Sequence, residues 1–216
     1  MNSRRSDAVE RGAAEAPLRG VTTVCLVGVG GQGILLAASI LSEAASADGL
    51  AVKASEIHGM AQRGGSVVST VRYGEKVYSP VSRHADIVLA TELLEGHRGL
   101  RLLGEGGTLV CAMSTVIPPG SVLRREEQYP EDLAAEAEAR GVRLVAVDAE
   151  ALAREAGTVK AVNVALLGAA SAVFPFAAAS WQTAIERAVP AKIRAVNERA
   201  FALGREAVAG QVAQQA

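Results

Sequence analysis

The chain alternates short apolar runs with segments of helical periodicity. Val21–Val27 (VTTVCLV) is apolar, rich in β-branched residues and closed by glycines, which predicts a buried first strand. Apolar residues then recur at helical spacing, at Ile34, Leu35, Ala38, Leu41 and Ala45, and predict a helix from Gly31 to about Ala47. Asp48-Gly49 stops it, and Leu50–Ile57 is expected to be a second strand. Ser66–Tyr73 (SVVSTVRY) alternates as a strand does, and Glu75–Tyr78 is expected to pair back on it through a turn at Gly74.

The second half continues the pattern. Ala85–Ala90, Thr108–Ala112 and Arg143–Val147 are apolar enough for buried strands, with helices expected from about Glu92 to Leu103 and near Glu131–Arg140. Val116–Gln128, which contains Pro118-Pro119-Gly120, reads as a loop or edge segment. A short helix follows the last strand. Val162–Val173 and Trp181 to about Gly204 are the expected closing helices. Strands that are apolar on both sides and alternate with helices form mostly parallel sheets covered on both faces. The expected fold is a single α/β domain over residues 21–210, preceded by a flexible tail over residues 1–20 whose mixed charges exclude a signal peptide.

Composition narrows the function. The 216 residues carry 22 Lys and Arg against 23 Asp and Glu, a net charge of −1, which calls for neither nucleic acid nor an acidic membrane as partner. Ala161–Ile185 has no charged residue, but Asn163, Pro175, Gln182 and many alanines make it a buried helix pair broken at Pro175 rather than a membrane span. Aromatic residues are only 3% of the chain, so the core rests on Ala, Val, Leu and Ile. The 2 cysteines, Cys25 and Cys111, fall in strand-like runs, and buried, reduced thiols place the protein in the cytoplasm. Two separated thiols hold neither an iron–sulfur cluster nor a structural zinc.

Chemistry is suggested at two places. Gly28, Gly30 and Gly33 fit G-x-G-x-x-G between a strand and a helix, with Gly31 alongside, and Glu56 follows about twenty residues later, where a dinucleotide site holds its ribose. On those residues alone, a Rossmann-like NAD(P)-binding dehydrogenase or regulator stands level with a purely structural tight turn. The ten residues EIHGMAQRGG that follow are unlike a plain turn. Gly59, Gly64 and Gly65 let the backbone bend closely. His58 and Gln62 offer hydrogen bonds, Met60 an adaptable apolar contact, and Arg63 a planar fork for a carboxylate or phosphate. Each also has a plainer reading: Arg63 as one half of an interface ion pair, His58 as a structural hydrogen-bonding residue, Glu56 as an orienter of the loop.

GVGGQG at Gly28–Gly33 followed by SEIHGMAQRGGSVVSTVRYG at Ser55–Gly74 resembles the gamma subunit or domain of the 2-oxoacid:ferredoxin oxidoreductases. Within that family the small (beta) subunits of the indolepyruvate enzymes are most similar. ADIVLATE at Ala85–Glu92, NVALLGA at Asn163–Ala169 and KIRAVNERAFALGREA at Lys192–Ala207 continue the resemblance. It implies oxidative cleavage of a 2-oxoacid, aryl pyruvates favoured, to acyl-CoA, carbon dioxide and reduced ferredoxin. Such chemistry uses thiamine diphosphate with Mg, coenzyme A and iron–sulfur clusters. This chain has no G-D-G run with paired asparagines, and its only asparagines are Asn2, Asn163 and Asn197. The resemblance therefore implies a larger partner subunit that carries those cofactors, none held by this chain alone, with the 56–65 loop facing that partner.

Overall fold

The computed structural model describes residues 20–58 and 65–213. The tail expected over residues 1–20 falls outside them apart from Gly20, as do Gly59, Met60, Gln62, Arg63 and Gly64 of the glycine-broken loop. The elements are β1 (Val21–Val29), α1 (Ile34–Ala47), β2 (Ala51–His58), β3 (Ser66–Gly74), β4 (Ala85–Ala90), α2 (Leu93–Gly99) and β5 (Leu103–Ala112). They continue with α3 (Gly120–Leu123), α4 (Leu133–Ala139), β6 (Arg143–Val147), α5 (Ala149–Ala156), α6 (Val162–Ala170), α7 (Ala178–Ala188) and α8 (Ala191–Ala213).

Among the described residues the strands form one 6-stranded sheet in the order β2-β3-β1-β4-β5-β6. The β1–β4, β4–β5 and β5–β6 pairings are parallel, as the apolar runs imply. β3 is the exception: it runs antiparallel to β1 on one side and to β2 on the other. This corrects the expectation that Glu75–Tyr78 pairs back on β3, because both edges of β3 are already taken. It also separates β2 from β1 by a whole strand, so the carboxyl ends of β1, β2, β4, β5 and β6 and the start of β3 share one edge.

Alternate residues of each central strand bury on opposite faces, which is why the runs read as continuously apolar. Val24 and Leu26 of β1, Ile87 and Leu89 of β4, and Val110 of β5 pack with α1, α6, α7 and α8. Cys25 and Val27, Val88 and Ala90, and Leu109 and Cys111 pack on the other face with Leu133 and Ala137 of α4. All three Phe, the single Trp and Tyr73 gather at one corner of the first core, with Phe176 stacked on Phe174 at 5.6 Å and set edge-on to Tyr73 at 4.9 Å.

Helix limits follow local chemistry. α2 begins at Glu92, whose carboxylate accepts from Glu95 N–H, and α4 at Asp132, which accepts from Ala134 and Ala135 N–H. Pro118-Pro119 does not keep the whole 116–128 segment irregular, since Gly120–Leu123 closes one helical turn after it. The apolar stretch after Ala161 breaks at Pro175 as expected. The second closing helix is two helices, α7 and α8, divided at Val189-Pro190. α6 and α8 cross in backbone contact: a Cβ at Gly204 would lie 1.9 Å from the Ala165 carbonyl oxygen, and one at Gly168 2.1 Å from that of Phe201. Leu35, expected on the buried face of α1, is instead 43% exposed, because that face runs through Ile34, Ala37, Ala38 and Leu41.

Candidate functional site

The carboxyl edge of the sheet collects the glycine turn after β1, the start of β3, the β4–α2 junction and the segment after β5. In the glycine turn, Gly31 and Gly33 have φ of 101° and 72°, a region that glycine alone enters without strain. Gly28 is buried against the junction, where a Cβ would fall 2.1 Å from Thr91 Oγ1 and 2.7 Å from Ile34 Cδ1. Gly33 closes the turn and starts α1 under Asn163, whose Nδ2 donates to the Gly33 carbonyl oxygen at 2.8 Å.

A side chain fills the turn. Gln32 Oε1 accepts from Val29 N–H at 2.7 Å and from Thr91 Oγ1 at 2.8 Å, while its Nε2 donates to the Thr91 carbonyl at 3.0 Å. Gly30 N–H donates to the carbonyl of Gly65 at 2.8 Å, and Gln32 N–H to that of Val29 at 3.1 Å. The N–H groups of Val29, Gly30 and Gln32, which a dinucleotide site would aim at a pyrophosphate, are thus satisfied within the protein. Glu56 is exposed and sits on β2 in register with Ser69 of β3. With β3 inserted, β2 runs about 9.6 Å from β1, two strand spacings rather than one. Both features argue against the NAD(P)-binding reading.

Of the residues singled out in sequence, the structure brings together Gly28, Gly30, Gly31, Gly33 and Gly65. Glu56 and His58 end the next strand but one, with the backbone of His58 in register with Val67. Gly59, Met60, Gln62, Arg63 and Gly64 lie outside the described residues.

Glu92, Glu95, Arg98 and Tyr129 at this edge escape sequence reasoning. Glu92 is fully buried: Oε1 accepts from Tyr129 OH at 2.5 Å and from Ile117 N–H at 3.1 Å, and Oε2 accepts from Glu95 N–H at 2.9 Å. Glu95, 3% exposed, accepts from Ser66 Oγ at 2.6 Å and from Arg98 Nη1 at 2.5 Å. Arg98 continues to Glu127, with Nε donating to Oε1 at 2.9 Å. A carboxylate directly after a buried strand, as in ADIVLATE, is the signal that could have found Glu92. A charge there is costly unless the fold satisfies it.

The electrostatics follow from these contacts. Burial, and then the hydrogen bond to Glu92, raise the Tyr129 phenol above its ordinary range. Arg98 holds the Glu127 carboxyl below its usual value. Burial pushes the Cys111 thiol up to about 12 and also raises Cys25, so neither is poised as a thiolate. His97 is half-buried, with Nδ1 2.8 Å from Glu136 Oε2. Among the described residues no group of three or more His, Cys, Asp or Glu is placed to hold a metal ion. The described residues fit neither an iron–sulfur cluster nor a Mg–diphosphate site.

Comparison with known proteins decides the family. The model of the pyruvate ferredoxin/flavodoxin oxidoreductase family matches residues 23–207. The chain belongs to this family. Relatives named indolepyruvate oxidoreductase subunit IorB, from Thermococcus kodakarensis and Pyrococcus horikoshii, are each 41% identical to it, over 85% of this chain and 94% of theirs. The solved gamma subunit of a keto/oxoacid ferredoxin oxidoreductase from Geobacter sulfurreducens is 26% identical. It superposes with a TM-score of 0.69 over 87% of this chain and 95% of its own. The chain therefore shares the fold of that gamma subunit, and no helix among the described residues is long and apolar enough to cross a membrane.

Proposed function

We propose that the chain is the small subunit of a thiamine diphosphate-dependent indolepyruvate or aryl pyruvate:ferredoxin oxidoreductase of the cytoplasm. The observation that carries this reading is 41% identity to the IorB subunits along 94% of their length. The larger subunit supplies thiamine diphosphate with Mg and the iron–sulfur clusters, and the complex uses coenzyme A and passes electrons to ferredoxin. Those groups provide the carbanion and one-electron chemistry. This chain completes the assembly and holds none of them alone.

Its own residues supply a preorganised edge. Gln32 and Thr91 rigidify the glycine turn, Gly30 fixes the carbonyl of Gly65, and Glu92 holds the segment after β5. A surface already ordered before docking avoids an entropic cost on association. Glu56, His58, Gly59, Met60, Gln62, Arg63, Gly64 and Gly65 are the residues proposed to meet the partner, and Gly28, Gly30, Gly31 and Gly33 brace the described part of that edge.

The test is reconstitution with the larger subunit of the same organism. Indolepyruvate- and coenzyme A-dependent reduction of ferredoxin is expected from the mixture and from neither chain alone. Activity of this chain by itself, or micromolar NAD or NADP binding in calorimetry, would overturn the reading.

A further inference from the structure

The β4–α2 junction reaches segments far apart in sequence. Thr91 bonds Gln32, Glu92 bonds Ile117 and Tyr129, and Glu95 bonds Ser66. Through Arg98 the last of these contacts extends to the one-turn helix α3, where Arg98 Nη2 lies 3.3 Å from Ser121 Oγ, and to Glu127. Ser121 Oγ closes the loop by donating to Glu127 at 2.9 Å. The start of β3 is thereby held at two points, the Gly65 carbonyl by Gly30 and the Ser66 hydroxyl by Glu95.

We infer that Glu95 is a positioning residue, which locks the start of β3 to the 121–127 segment so that the two parts of the docking edge keep one geometry. This rests on the reading of the carboxyl edge as the partner-facing side. Glu95 meets the partner only through Ser66 and Arg98. A purely local role is a poor account of it. A carboxylate 3% exposed costs several kcal/mol to desolvate unless it is paired, and capping of α2 is already done by Glu92. Ser66 and Arg98 approach its two oxygens separately, one from the start of β3 and the other from the end of α2.

The experiment uses the full chain, alone and with the larger subunit, in the variants Ser66→Ala, Ser66→Thr and Glu95→Gln. Amide exchange of the isolated chain is read at residues 65–67 and 121–127. Glu95→Gln is expected to speed exchange in both segments together, and Ser66→Ala in the first. Ser66→Ala should keep its thermal midpoint within about 2 °C of the parent, because one half-buried hydroxyl is a small part of the stability. It should nevertheless weaken binding of the larger subunit by about fivefold or more, the scale of one hydrogen bond. Ser66→Thr, which keeps the hydroxyl, should restore both affinity and protection.

Unchanged exchange at 65–67 in Glu95→Gln would overturn the locking. Altered exchange with unaltered affinity would reduce Glu95 to a structural ion-pair residue. If Glu95→Gln does not fold, the Ser66 pair decides the question. If the parent chain fails to bind the larger subunit, the functional reading falls, while the exchange data still decide whether Glu95 locks the two segments.

Discussion

Asn163 of α6 and Gly33 of the glycine turn are joined across 130 positions of sequence: Nδ2 donates to the Gly33 carbonyl at 2.8 Å and stands 2.6 Å from where a Gly33 Cβ would be. Gly33 also holds φ at 72°. Gly33→Ala therefore faces both a left-handed backbone and a collision with Asn163. The expected loss is about 1–3 kcal/mol. Gly31, with φ of 101° and nothing near its missing Cβ, should lose less on Gly31→Ala, about 1 kcal/mol from the backbone alone. Urea unfolding of both variants checks the order. Equal losses would mean that Asn163 yields without cost.

The crossing of α6 and α8 gives the sharpest stability prediction. A methyl at Gly204 would sit 1.9 Å from the Ala165 carbonyl, and backbone cannot rotate away as a side chain can. Gly204→Ala should cost about 3 kcal/mol or more by forcing the helices apart, although alanine is the better helix former. A midpoint equal to or above the parent in thermal unfolding would refute this packing.

Arg63 bears on the function proposed above. If its guanidinium contacts the larger subunit or its ligands through a charge-assisted pair, Arg63→Ala should lower assembly or turnover about tenfold, roughly 1.4 kcal/mol. Arg63→Lys should recover only part, because an ammonium lacks the planar fork. Affinity for the larger subunit and ferredoxin reduction are the measurements. Full activity of Arg63→Ala would remove this residue from the docking edge.

The fold was legible where burial on both faces imposes a pattern. β1, β4, β5 and β6 announce themselves as apolar runs. The place of β3 was not legible. Its alternation reads the same whether it is a hairpin arm or a strand between β1 and β2, since local pattern carries no pairing partner. At the site, the glycines were visible because turn geometry demands them. Glu92, Glu95, Arg98 and Tyr129 were not, because their meaning lies in contacts that the fold creates, such as Tyr129 reaching Glu92 across 37 positions. Gln32 misled in the same way: within a phosphate-binding pattern it looks neutral, and only in the structure does it plug the turn.

Tyr129 and Glu92 supply a test of that buried cluster. Tyr129→Phe keeps the ring and removes one donor from a carboxylate that is fully buried. The expected destabilisation is about 1.5–3 kcal/mol, the range for hydrogen bonds to charged groups. Replacing Glu92 as well, with Gln, should make the second change nearly silent, because the phenol's charged partner is already gone. Additive losses in this double-mutant cycle would show that the two groups act independently.

The last test is one of pH. Arg98, which stays protonated throughout the accessible range, holds Glu127 below its ordinary value of 4.5. A carboxyl depressed in the folded state adds stability that is complete above its unfolded pKa and is lost as pH falls through the folded one. Glu127→Gln should therefore lower the thermal midpoint by a constant amount from neutral pH down to about pH 5. A partly exposed pair is worth up to about 1 kcal/mol, or about 2–4 °C in a chain of this size. Below that pH the parent and variant curves should converge, because the parent loses the pair by protonation. High salt should shrink the neutral-pH gap, since both partners are partly exposed. Two curves that stay parallel to pH 3 would show that Glu127 contributes through its shape and hydrogen bonds rather than its charge.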